Sequence, residues 1–135
     1  MTTIDHLGIA VKSIAEARRL YVSLGLGVVH EEVVEQEGVR AAMIPVGESR
    51  IELLEATSAD TPVGRFLTKH GEGLHHVAFH VEDISGAFEQ IKRDGFEVLS
   101  EDIQIGVDGH LYFFVHPHSA SGVLIEICQD SIADV

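Results

Sequence analysis

The chain has 135 residues, 45% of them apolar, with 22 Asp and Glu against nine Lys and Arg for a formal net charge of −13. Such a length and apolar content suit a single domain, residues 1–135, with a core of its own, and the scattered cations provide no basic face for a nucleic-acid backbone. No stretch nears the roughly 18 consecutive apolar residues of a membrane helix, and patterning starts at Ile4, which leaves no room for a secretion signal. Cys128, the single cysteine, excludes an internal disulfide and suits a reducing compartment, so a cytoplasmic location is expected.

In chain order, Ile4–Val11 alternates as a strand, and Ser13 then caps a helix with Glu16 at capping-box spacing. Ala17, Leu20, Tyr21 and Leu24 form the predicted buried stripe of that helix, which Gly25 ends. Strands follow at Gly27–Val34, Val39–Val46 and Arg50–Glu55. Thr61-Pro62, a cap followed by proline at the first helical position, predicts a short helix reaching His70 in a linker spanning residues 57–73. A second strand, Leu74–Val81, leads to Asp83 as cap of a helix whose stripe is Ile84, Ala87, Phe88 and Ile91, stopped by Gly95. Glu97–Ile103, His110–Val115 and Gly122–Cys128 complete the predicted strands.

The second half repeats the first. Residues 6–32 aligned without a gap on 76–102 give seven identical pairs of 27, where chance gives roughly two. The fold class expected is α+β, two paired βαβββ modules, about 4–56 and 74–129, forming curved mixed half-barrels around a metal site.

Strand parity locates the polar residues that matter. His6, Gly8 and Ala10 share one face of the first strand, and His76, Ala78 and His80 share one face of its copy. Small residues beside an imidazole leave the hollow a ligand needs. In the last strand of each half, Ser49–Leu54 matches Val123–Cys128 at an offset of 74, pairing Glu52 with Glu126. The four extra residues of the second half are expected between Gly106 and Gly122. A lone Glu in a strand is usually solvated and a lone His usually a satisfied core residue; four in symmetric positions of a duplicated unit read instead as metal ligands. Two imidazoles and two carboxylates suit a divalent Co, Mn, Fe, Ni or Zn ion, which polarises a carbonyl and stabilises negative charge developing beside it.

These residues resemble the vicinal oxygen chelate superfamily and, from about Ile4 to Gln129, its methylmalonyl-CoA epimerases. The stretches that carry the resemblance are Ile4-Asp5-His6-Leu7-Gly8-Ile9-Ala10-Val11 and Gly71-Glu72-Gly73-Leu74-His75-His76-Val77-Ala78-Phe79, then Leu99-Ser100-Glu101-Asp102, His116-Pro117 and Gly122-Val123-Leu124-Ile125-Glu126. The resemblance implies epimerisation of methylmalonyl-CoA at C2, by proton abstraction and return through a metal-stabilised enolate, with an acyl-CoA as partner and His6, Glu52, His76 and Glu126 as ligands. His75 falls on the opposite face and is not a ligand. Some members place a glutamate base where this chain has Ala41, and Glu126 is therefore the residue assigned to proton transfer. The family's His-Pro-Lys is here His116-Pro117-His118, one cation fewer near the acyl-CoA. A homodimer is expected to cover exposed strand edges. The alternatives are a glyoxalase-type isomerase or lyase and a non-catalytic small-molecule binding protein of the same fold; an extradiol dioxygenase, with three protein ligands, fits less well.

Overall fold

The computed structural model describes residues 1–106 and 108–130. The chain divides into two compact units, His6–His75 and Met1–Asp5 together with the chain from His76 onward. The first module runs β1 (Thr3–Ala10), α1 (Ile14–Ser23), β2 (His30–Val34), β3 (Val39–Val46) and β4 (Ser49–Ala56), followed by α2 (Pro62–His70). The second runs β5 (Gly73–His80), α3 (Ile84–Arg93), β6 (Gln104–Ile105), β7 (Leu111–Val115) and β8 (Leu124–Gln129). Strand order is β2-β3-β4-β1 in the first and β5-β8-β7-β6 in the second, so corresponding strands hold corresponding places. In each, the histidine strand lies parallel to the last strand, β1 on β4 and β5 on β8, while the remaining pairs are antiparallel. The α+β class with two βαβββ modules is thus what forms.

Local chemistry starts and stops the helices where expected. Ser13 Oγ accepts from Glu16 N–H at 3.2 Å, Thr61 Oγ1 from Gly64 N–H at 3.0 Å and Asp83 Oδ1 from Gly86 N–H at 3.1 Å. After α1 and α3 the chain turns through left-handed glycines, Gly25 (φ 81°) and Gly95 (φ 89°). The capping box at Ser13 is only half made, because the Glu16 carboxylate pairs with Arg19 at 3.2 Å.

Three expectations are corrected. Leu20 and Leu24 are 64% and 66% exposed; the inward face of α1 is narrower, with Ile14 buried and Ala17 and Tyr21 packed behind it. Gly27–Val29 is not strand, and β2 starts only at His30. The predicted Glu97–Ile103 strand is reduced to a single bridge from Val98 to Val115. Beyond it Ser100 Oγ and Gln104 Nε2 both donate to the Asp102 carbonyl, at 2.7 and 2.9 Å, and side-chain competition of this kind turns the backbone out of a ladder.

In the first module Val11, Ile14, Ala42, Ile44 and Leu53 bury together on the α1 side, and Ala10, Val39, Leu54 and Val63 bury under α2. In the second, Ile84, Phe88, Phe113, Val115 and Ile127 form the core, with Phe88 edge-on to Phe113 at 4.9 Å between ring centres. The extra residues of the second module lie in the β7–β8 connection, where a 3-10 turn at Pro117–Ser119 replaces the tight Gly47-Glu48 turn of the first. Among the described residues no helix is long and apolar enough to cross a membrane.

Candidate metal centre

Each module builds a His–Glu donor pair by the same rule of register. In a parallel pair, residues opposite one another point to the same face, and on β1 and β4 Gly8 stands opposite Glu52. On β5 and β8 Ala78 stands opposite Glu126. The histidine two residues earlier, His6 or His76, shares that face because side chains alternate. The small residue matters: a bulky one opposite the carboxylate would fill the space into which both donors lean. On its other flank Glu52 neighbours Met43 of β3, and Glu126 neighbours Phe114 of β7, so each carboxylate lies between a small residue and a large apolar one.

The resulting pairs are nearly superimposable in their distances. His6 Nε2 lies 3.8 Å from Glu52 Oε1, and His76 Nε2 lies 3.7 Å from Glu126 Oε1. These separations exceed a direct hydrogen bond. They approach the spacing of about 3 to 3.5 Å that bonds of about 2.1 Å impose on neighbouring donors of one ion. His6, His76 and Glu126 are buried, whereas the Glu52 side chain keeps 19% of its surface. In each pair, an imidazole nitrogen beside a carboxylate oxygen is a combination suited to a borderline divalent cation.

Behind each carboxylate the strand does a second job that sequence reasoning missed. Glu55 Oε1 accepts from the Ile14 N–H at 2.8 Å, and Gln129 Oε1 accepts from the Ile84 N–H at 2.8 Å. Each lies three positions beyond Glu52 or Glu126, hence on the opposite face, and ties β4 to the first turn of α1 or β8 to that of α3. The signal was available: Glu55 and Gln129 are separated by the same 74 positions as Glu52 and Glu126. Arg40 Nε, 3.7 Å from Glu55 Oε2, steadies the charged member of this pair.

His75 lies away from His76, as expected. It packs edge-on against Phe66 with ring centres 5.0 Å apart, and burial holds its pKa below the usual histidine value. Ala41 sits on β3 opposite Leu54, packed against the apolar cluster under α2, and contributes no titratable group. His116 and His118 lie at the β7–β8 turn.

A model of the glyoxalase/bleomycin resistance protein/dioxygenase superfamily matches residues 5–114. The chain belongs to this superfamily. Within it the chain belongs with the methylmalonyl-CoA epimerases, as its relatives indicate. It is 33% identical to an ethylmalonyl-CoA/methylmalonyl-CoA epimerase of Cereibacter sphaeroides, over 93% of this chain and 96% of the relative. A solved methylmalonyl-CoA epimerase in complex with methylmalonyl-CoA and ammonium is 37% identical, with a TM-score of 0.87 over 98% of this chain and 96% of that one. An uncharacterised Bacillus subtilis protein is 38% identical over 96% of this chain and 93% of its own length.

Proposed function

We propose that the protein is a metal-dependent epimerase that inverts C2 of methylmalonyl-CoA, and that His6, Glu52, His76 and Glu126 are the four ligands of one divalent ion. The observation that carries this reading is the twofold occurrence of one donor pair, His Nε2 to Glu Oε1 at 3.8 and 3.7 Å, in a chain 37% identical to an epimerase solved with that substrate.

When bound, the ion supplies positive charge where the thioester and carboxylate oxygens gather negative charge. The residues do the rest. His6 and His76, as neutral imidazoles, present Nε2 to the site, and the carboxylates of Glu52 and Glu126 balance a dication there. Gly8 and Ala78 leave room beside the carboxylates for substrate atoms. Ala41 offers only a methyl group, so a carboxylate oxygen of Glu126 takes the C2 proton. Inversion requires that a proton return from the other face of C2, which a second group or a water supplies.

The test is to incubate a single epimer in D₂O with the metal-loaded protein. Deuterium incorporation at C2 together with loss of optical purity, both stopped by a chelator, is the expected result. No exchange with metal bound rejects the epimerase reading, and turnover of a glutathione hemithioacetal in its place assigns a glyoxalase-type isomerase. We place the protein in the cytoplasm, in keeping with its buried thiol Cys128, and as a homodimer, for which the exposed Leu20, Leu24 and Val29 offer apolar surface. Light scattering that returns a monomer mass at micromolar concentration rejects the dimer.

A further inference from the structure

A separate group of donors lies within the second module, at the turn between β7 and β8. Glu97, His116 and His118 each offer a ligand atom, and these atoms lie within 4.8 Å of one another. Glu97 is far in sequence from the two histidines, and the backbone brings it to them. His116 N–H donates to the Glu97 carbonyl at 2.8 Å, and Glu97 N–H donates to Ser119 Oγ at 3.0 Å, so the chain before Val98 is clasped onto the 3-10 turn. Pro117 sits between the two histidines and fixes the backbone angle of that turn. The rings of His116 and His118 meet edge to face at 4.9 Å, and His118 Nε2 lies 4.0 Å from Glu97 Oε2.

We propose that Glu97, His116 and His118 form a second divalent-metal site, exposed to solvent and distinct from the ligands assigned above. The donor set is two imidazoles and one carboxylate, which favours Zn²⁺, Ni²⁺ or Cu²⁺ over Mg²⁺ or Ca²⁺. The donors need to close by about an ångström to reach the spacing of ligands on one ion, and exposed side chains can do so by small torsional changes. His116 Nδ1 accepts from the His118 N–H at 3.1 Å, so in the neutral ring the lone pair is already on that edge, and ligation there displaces one long neutral hydrogen bond. A net charge of −13 raises the local concentration of cations around the whole surface. With three protein ligands, the remaining coordination positions face water and can take a carboxylate or phosphate oxygen. The site does not depend on the epimerase reading.

The experiment is calorimetric titration of the metal-free full-length protein with Zn²⁺, alongside His118→Gln, Glu97→Gln and Glu126→Gln. Two saturable ions are expected in the unaltered protein. His118→Gln and Glu97→Gln should each remove one ion, and Glu126→Gln should remove or weaken only the other. Far-UV circular dichroism checks that each variant is folded, which the exposure of Glu97 and His118 favours. Ni²⁺ added beyond one equivalent should broaden the His116 and His118 ring resonances in addition to those of His6 and His76, and Mg²⁺ should not broaden them. Equal stoichiometry and affinity in the unaltered protein, His118→Gln and Glu97→Gln overturns the proposal. A single ion that survives Glu126→Gln and is lost in His118→Gln would uphold this site while overturning the four-ligand one.

Discussion

Three residues past Glu52, the first module places a carboxylate on the first turn of its helix; three residues past Glu126, the second module places an amide there. Glu55 and Gln129 make the same 2.8 Å bond to Ile14 and Ile84, and the two donor pairs agree within 0.1 Å. Away from these positions the modules diverge: β2 spans five residues and β6 two, and the β3–β4 turn is tight where the β7–β8 connection contains a 3-10 turn. The comparison teaches that what the two halves hold in common is the placement of four side chains and the bonds that fix their strands. The outer strands, which carry none of these four side chains, differ in length.

The sharpest way to break that equivalence is to remove the two carboxylates proposed as ligands separately. Glu126→Ala should lower kcat by roughly a hundredfold or more, because it removes both a donor and the group assigned to proton transfer. Glu52→Ala should act mainly through weaker metal binding, so that excess metal restores part of its activity and none of the Glu126→Ala loss. Steady-state rates across a metal titration separate the two, and full activity in either variant would return that glutamate to an ordinary strand position.

Next in size is the difference between the cores. Phe113→Ala removes a fully buried ring and its edge-on partner in the second module, with an expected loss of about 3–5 kcal/mol, and Leu53→Ala in the first should lose about 2–5 kcal/mol. Denaturant unfolding measures both, and unequal slopes would show that the units unfold separately. A smaller effect tests the charged and neutral caps. Glu55→Gln should lower stability by about 0.3–1 kcal/mol, since a negative charge suits a helix N-terminus, and Gln129→Glu should raise it by a similar amount. A loss in Glu55→Gln with no gain in Gln129→Glu would mean that Arg40, not the helix, sets the value of Glu55. Least of all, Leu20→Ser on the outer face of α1 should change the stability of the isolated protomer by less than about 0.5 kcal/mol, its effect falling on the proposed dimer instead. A large loss would mark that face as covered.

The helices were legible because their signals are local. Ser13, Thr61 and Asp83 each reach a backbone N–H three residues on, and no distant contact is needed to see it. The strands that carry donors were legible through parity, checked by the internal repeat. Leu20 and Leu24 misled because a 3.6-residue period gives the direction of an apolar stripe and not its width; what packs on α1 decides that, and Ile14, Ala17 and Tyr21 suffice. Glu97–Ile103 misled because alternation cannot weigh a strand against the turn that Ser100 and Gln104 make with the Asp102 carbonyl. The pairing of each His with its Glu was readable as chemistry, but its geometry rests on register, Gly8 opposite Glu52 and Ala78 opposite Glu126, which depends on hydrogen bonds between strands far apart in sequence. The meeting of Glu97 with His116 and His118 was hidden for the same reason.

The segments Glu52–Glu55 and Glu126–Gln129 behave as rulers. One end of each must stand beside an imidazole while the other reaches a helix N-terminus on the opposite face, about 10 Å further along an extended chain. A ruler cannot change length and still touch both marks. One residue inserted inside Glu126–Gln129 would reverse the parity beyond it, so that either Glu126 leaves His76 or Gln129 turns away from Ile84. The helices are therefore not passive cover for the sheet: a shift of α3 along its strands is transmitted through Gln129 to the carboxylate three residues back, and the position of the donor is set from the far side of the sheet.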